Sequence, residues 1–101
     1  MHEQLLPAID QLSRTLQSKS DAFDSVVKIG RTHLQDATPL TLGQAIGGWV
    51  AQLQECKRHL LASMESVYAL AAGGTAVGTG LNTHPDYAKG ISAKLAGLTG
   101  H

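Results

Sequence analysis

Apolar positions recur at helical spacing in two long stretches of the chain. In the first, Leu5, Ile9, Leu12 and Leu16 follow at steps of four, three and four, with Phe23 a heptad beyond Leu16. Gln11, Arg14 and Lys19 fill the other face, so the pattern predicts an amphipathic helix over about residues 2–24. A short apolar run, Val26 to Ile29, ends at Gly30 and reads as an extended link. In the second stretch Leu42, Ile46, Trp49, Leu53, Cys56 and Leu60 alternate steps of four and three; Met64, Val67 and Ala71 continue the seam after a one-residue slip. Two start signals compete for this helix: Thr38 with Pro39 at the first helical position, or Thr41 with Gln44 as a capping box. It is expected over about residues 40–72, ending before Gly73 and Gly74.

The length of the second helix has a consequence. About thirty residues at about 1.5 Å each span about 45 Å, whereas a compact domain of about 100 residues is only about 35 Å across. Its apolar seam therefore needs partners beyond this chain, as in a slice of a larger helical bundle. A third helix is expected over about residues 84–97 of the sequence, with Thr83 as N-cap, Asp86 at the capping-box position and Pro85 in the first turn. Ile91 and Leu95 share one face, and the pattern fades at Gly97. The predicted fold class is all-α, a long-helix bundle.

Composition narrows the partners. With 101 residues and 43% hydrophobic content, the chain is one domain or less and is not compositionally disordered. Eight basic and eight acidic residues cancel, so neither nucleic acid nor an anionic membrane is an expected partner. The apolar runs are too short to span a bilayer. The start, "MHEQLLPAIDQLSR", lacks the pattern of a secretory signal, and the single Cys56 suits a reducing compartment; a cytoplasmic location is expected, or the mitochondrial matrix if the source is eukaryotic.

Several short patterns carry candidate chemistry. Gly43 and Gly47 lie four apart near the start of the long helix, beside Gly48; close approach of a neighbouring helix explains them best. "GGTAVGTGLNTH" (residues 73–84) has the glycine spacing of a P-loop, but Thr79 and Gly80 stand where Lys and Ser/Thr are required. Nor is it a dinucleotide turn, because it follows a helix rather than a strand. It remains either a plain interhelical connection or a nest of backbone N–H groups for a carboxylate. Cys56 and His59 have half of a metal-site spacing without a second pair, so a buried thiol and a surface imidazole are expected. Trp49 is expected as a core or interface anchor.

"GRTHLQDATP" (residues 30–39) gathers a cation, a hydroxyl, an imidazole, an amide and a carboxylate. Histidine transfers protons near neutral pH, Thr32 beside His33 offers a donor to a carboxylate oxygen, and Arg31 offers positive charge. The stretch is either a polar connector or a proton-handling site. No Ser-His-Asp order and no paired carboxylates accompany it.

"KIGRTHLQDATPLTLGQ" (residues 28–44), then "GWVAQL" and "GGTAVGTGLNTHPDYA", together closely resemble class II fumarase of the fumarase/aspartase superfamily. The likeness covers essentially the whole chain, in the family's order and spacing. The unbroken "THLQDATP" with "GTGLNTHP" favours fumarase, since aspartases typically carry glutamine at the position of His33. The resemblance implies part of the family's central helical domain. It also implies reversible hydration of fumarate to L-malate in the tricarboxylic acid cycle, by a homotetramer, with neither metal nor organic cofactor. Thr32 matches a substrate-binding threonine, and His33 matches the active-site histidine that meets substrate and a water. Gln35 and Asp36 belong to the same motif without an assigned chemical role. The family's catalytic serine loop, "GSSxMPxKxNP", is absent here, so the isolated 101 residues are expected to be inactive. Two other readings stay open: a self-associating helical module, and a piece of another superfamily lyase such as aspartase.

Overall fold

The structure, a computed structural model, describes residues 1–101 and divides into two compact units, Met1–Leu61 and Ala62–His101. In the first unit, α1 (Leu5–Ala22) leads through a short turn into β1 (Val27–Thr32), β2 (Gln35–Thr41) and α2 (Leu42–Val67), which continues into the second unit. Pro7 sits in the first turn of α1, where its missing N–H is no loss. The helix is shorter at both ends than its periodicity predicts; at its C-terminal end Phe23 caps it, donating its N–H to the Lys19 carbonyl (3.0 Å).

The face that α1 buries differs from the expected one. Leu6 is buried, whereas Leu5 and Leu12 are 44% and 49% exposed. Polar anchors set this rotation. Ser20 Oγ donates to the Gly43 carbonyl (2.7 Å), and Lys57 Nζ donates to both oxygens of Asp10 (2.6 and 2.8 Å). Ser20 with Gly43 and Asp10 with Lys57 make α1 and α2 antiparallel. A helix held by Asp10 and Ser20 must turn that side inward, taking Leu6 with it.

Gly43 explains how the two helices come so close. A Cβ there would collide with the Ser20 carbonyl oxygen and lie 2.8 Å from Asp24 Cα, so only glycine fits. The packing role expected for Gly43 and Gly47 holds: a Cβ built on Gly47 would lie 3.3 Å from Ser20 Oγ, while Gly48 has open space.

Of the two start signals for α2, the capping box is used. Gln44 N donates to Thr41 Oγ1 (3.0 Å) and Thr41 N donates to Gln44 Oε1 (2.9 Å), satisfying two otherwise orphaned donors. Pro39 instead lies within β2. The inward stripe of α2 runs through Gly43, Ile46, Val50, Leu53, Lys57 and Leu60 to Met64. That is a turned version of the expected seam, and it leaves Trp49 55% exposed and Cys56 exposed. Trp49 is thus not a core residue of this chain, and the thiol is not buried. At 26 residues, α2 is about 39 Å long, taking about 1.5 Å per residue.

The all-α expectation needs correcting, because β1 and β2 form a two-stranded antiparallel sheet. Val26 to Ile29 is extended as expected, but the strand continues through Thr32. Glycine, proline and aspartate are poor strand formers, and Gly30, Asp36 and Pro39 all sit in this hairpin, which hides it from propensity.

In the second unit, α2 stops at Val67 rather than near residue 72. The chain must leave the helix to bring Gly73 (φ 102°) against Ala88, whose Cα lies 2.9 Å from a Cβ built on that glycine. α3 spans Tyr87–Thr99, later than predicted at both ends. Thr83 does not cap it; its hydroxyl donates to the Gly80 carbonyl (2.6 Å) and closes the preceding loop. Asp86 is the N-cap, without a side-chain cap bond. Gly97 is tolerated in open space, and Gly100 ends the helix in the left-handed conformation, donating to the Ala96 carbonyl (2.8 Å). No helix is long and apolar enough to cross a membrane.

Candidate active site

The hairpin's root is tied to the end of α1. Leu42 N donates to the Val26 carbonyl (2.7 Å) and Gly43 N to the Phe23 carbonyl (3.0 Å), so both strands leave the helices in a defined direction. The ladder then pairs Val27 with Thr41, Lys28 with Leu40 and Ile29 with Pro39. At the next step Arg31 pairs with Asp36, which leaves Ala37 and Thr38 both opposite Gly30. This is a β-bulge, and it needs the glycine: a Cβ on Gly30 would sit 2.5 Å from the Thr38 carbonyl oxygen.

Beyond the bulge only two pairs remain, Arg31 with Asp36 and Thr32 with Gln35. His33 (φ 51°) and Leu34 (φ 62°) form the two-residue turn between them. Positive φ at both central residues is the type I′ arrangement, whose twist suits a hairpin but which usually employs Asn-Gly. Left-handed backbone costs about 1–2 kcal/mol for a residue with a Cβ, so this tip stores strain at both positions. Such strain clusters at functional sites. Leu34 is 94% exposed, an unusual setting for leucine.

Thr32 and His33, the two sequence-predicted site residues, are thereby adjacent at the exposed tip, and neither side chain makes a hydrogen bond within the chain. A hydroxyl and an imidazole held out in this way can meet a carboxylate and move a proton. Arg31, expected as a source of positive charge, is instead matched by Asp36: Nη2 lies 2.9 Å from Oδ1. Sequence reasoning left Asp36 without a role. Its pairing with Arg31 becomes readable only once the two-residue turn is known.

The other candidates gather elsewhere. Glu55, Arg58 and His59 form an exposed cluster on α2. Arg58 donates to both Glu55 oxygens (3.0 and 2.5 Å), and His59 Nε2 lies 3.1 Å from Glu55. The Arg58 hydrogen bond holds the Glu55 carboxyl below its ordinary range, helped by His59, and the same bond raises the Arg58 guanidinium. His59 is on the surface as expected, and no three His, Cys, Asp or Glu side chains converge as a metal site. The glycine loop encloses a cleft of about 330 Å³ lined by Gly73, Thr79, Thr83 and His84. Its Gly80 N–H is already taken by the Gly74 carbonyl (2.8 Å). A second cleft of about 470 Å³, between Val67, Tyr68, Leu95 and Thr99, is apolar.

Helices flanking a root-pinned hairpin make a helical segment that presents Thr32 and His33 at an exposed tip. The whole chain, residues 1–101, matches the family described as Lyase, and the chain belongs to that family. It is 55% identical over 100 residues to the class II fumarate hydratase of Bacillus subtilis (strain 168), covering 99% of this chain and 22% of that protein. It is 57% identical over 97 residues to the class II fumarate hydratase of Yersinia pestis, covering 96% of this chain and 21% of that one. The crystal structure of recombinant class II fumarase from Schistosoma mansoni superposes with a TM-score of 0.85 at 41% identity, over 94% of this chain and 20% of that chain. The resemblance to class II fumarase is thus supported by sequence and fold alike, and the chain spans about a fifth of these relatives' length.

Proposed function

We propose that this chain is a segment of a class II fumarate hydratase and that Thr32 and His33 belong to its active site. The reaction is the reversible hydration of fumarate to L-malate. With L-malate bound, a base removes the proton beside one carboxylate and negative charge builds on that carboxylate. The electron pair then forms the carbon–carbon double bond as the neighbouring C–O bond breaks, and the departing hydroxyl takes a proton from a general acid and leaves as water. Thr32 donates its hydroxyl to a substrate carboxylate oxygen, and His33 meets the substrate and an active-site water. Donors already held in place stabilise developing charge most effectively, since none must reorganise during the reaction. The observation that carries this reading is the exposed, strained tip bearing Thr32 and His33 in a chain 55% identical to such an enzyme. The parent is a cytoplasmic homotetramer of the tricarboxylic acid cycle, its segment here part of the central helical domain. The 101 residues alone are expected not to turn over fumarate.

The test is an exchange. The 101 residues replace the matching 100 residues of the Bacillus subtilis enzyme, and fumarate absorbance is followed with and without ammonia. Retained hydration is expected. A folded hybrid without hydration, or one that makes aspartate instead, overturns the reading.

A second reading, a self-associating helical module, draws on the open side of α2 with Trp49 and Cys56. Sedimentation of the chain at several concentrations decides it; a monomer throughout removes it.

A further inference from the structure

The tip has little to hold it. Residues 31–36 are all exposed, so no core packing fixes their conformation. The bulge at Gly30 separates the two outermost pairs from the rest of the ladder, and Pro39, just below it, has no N–H to give. Left-handed backbone at both His33 and Leu34 works against the turn. The one side-chain interaction across these two pairs is the ion pair between Arg31 Nη2 and Asp36 Oδ1 at 2.9 Å. It spans the strands one step below the turn and brackets Thr32 and His33 from beneath. Opposite charges placed directly across an antiparallel pair favour that register over its slipped alternatives.

We propose that Arg31 and Asp36 are positioning residues, a cross-strand clamp that holds Thr32 and His33 in the orientation the site uses; the role rests on the fumarate-hydratase reading. Neither side chain need touch substrate. Each compensates the other's charge, which also keeps Arg31 from acting as an independent anion binder.

The experiment has two arms. Nuclear magnetic resonance of the 101-residue chain reads the cross-strand proton contacts between Thr32 and Gln35, with those between Val27 and Thr41 as an internal control on folding. Arg31→Gln or Asp36→Asn is expected to weaken the Thr32–Gln35 contacts at least about twofold while the control stays constant, and the swap Arg31→Asp with Asp36→Arg restores them. In the exchanged Bacillus enzyme, each single change is expected to lower kcat about tenfold or more with recovery in the swap, because misplacing a reacting group by about 1 Å costs up to about a hundredfold. An unchanged tip in the single variants, or a swap that restores neither contacts nor kcat, overturns the clamp. Loosened contacts with unchanged kcat overturn its positioning role. If His33→Ala itself leaves hydration intact, the fumarate-hydratase reading fails and takes the positioning role with it. That failure is distinguishable, because the resonance arm reports on the ion pair without reference to any substrate.

Discussion

The two ends of the hairpin are built in opposite ways. At the root, Gly43 lies against the Ser20 carbonyl and Asp24 backbone, the Leu42 and Gly43 N–H groups are paired, and Thr41 and Gln44 cap each other. At the tip, every residue from 31 to 36 is exposed and two successive residues hold positive φ. Local packing and satisfied hydrogen bonds stabilise the first end; the second has only two ladder pairs and the exposed Arg31–Asp36 ion pair. A root fixed in this way lets a strained tip be presented without carrying its own core. On the proposed reading, the root serves structure and the tip serves chemistry.

The largest effect is expected from crowding the root. Gly43→Ala pushes a methyl group into backbone that cannot yield, and overpacking of this kind costs about 2 kcal/mol. At about 4–8 °C per kcal/mol for a small domain, thermal melting followed by circular dichroism will show it clearly. No change in melting would mean that α1 and α2 are not in the close contact described. Removing the cap hydroxyl by Thr41→Ala should cost about 1 kcal/mol, the usual value for such a cap. Urea titration measures it, and a neutral outcome would show that the capping box is not holding the start of α2.

The tip is expected to behave in the reverse sense. Leu34→Gly relieves a left-handed residue with a Cβ and should stabilise the hairpin by up to about 1 kcal/mol, while Gly30→Ala at the bulge destabilises it. A destabilising Leu34→Gly would contradict the strain assigned to the turn. The smallest effect lies on the exposed side of α2. Arg58 depresses the Glu55 carboxyl, so that group's contribution is present above its ordinary value of 4.5 and is lost as pH falls through the lowered one. Because both side chains are exposed to solvent, Glu55→Gln is expected to alter the acid side of a pH–melting profile only slightly, and the neutral side hardly at all.

Much of this comparison could be read from residues, though unevenly. The helices were legible because burial imposes a 3.6-residue period, and the Thr41–Gln44 box was legible because it is local. The rotation of α1 was not, since it depends on Asp10 meeting Lys57, forty-seven positions away. The hairpin was hidden for a different reason. Its turn is His33-Leu34 rather than a glycine or asparagine pair, and its strands contain Gly30 and Pro39, so local preference opposes what the root enforces. Thr32 and His33 stood out by chemistry and resemblance, whereas their juxtaposition at an exposed tip came only with the fold. Asp36 became interpretable once the register set it across from Arg31.

The central claim is that the tip serves chemistry rather than stability. Its most direct test is the fumarate hydration rate of the exchanged Bacillus enzyme carrying His33→Ala, taken with its melting temperature. The expected result is a rate lowered by about a hundredfold or more, in the range usual for losing a proton-handling side chain, with melting unchanged. A rate that survives the substitution, or one that falls only because the protein has unfolded, contradicts it.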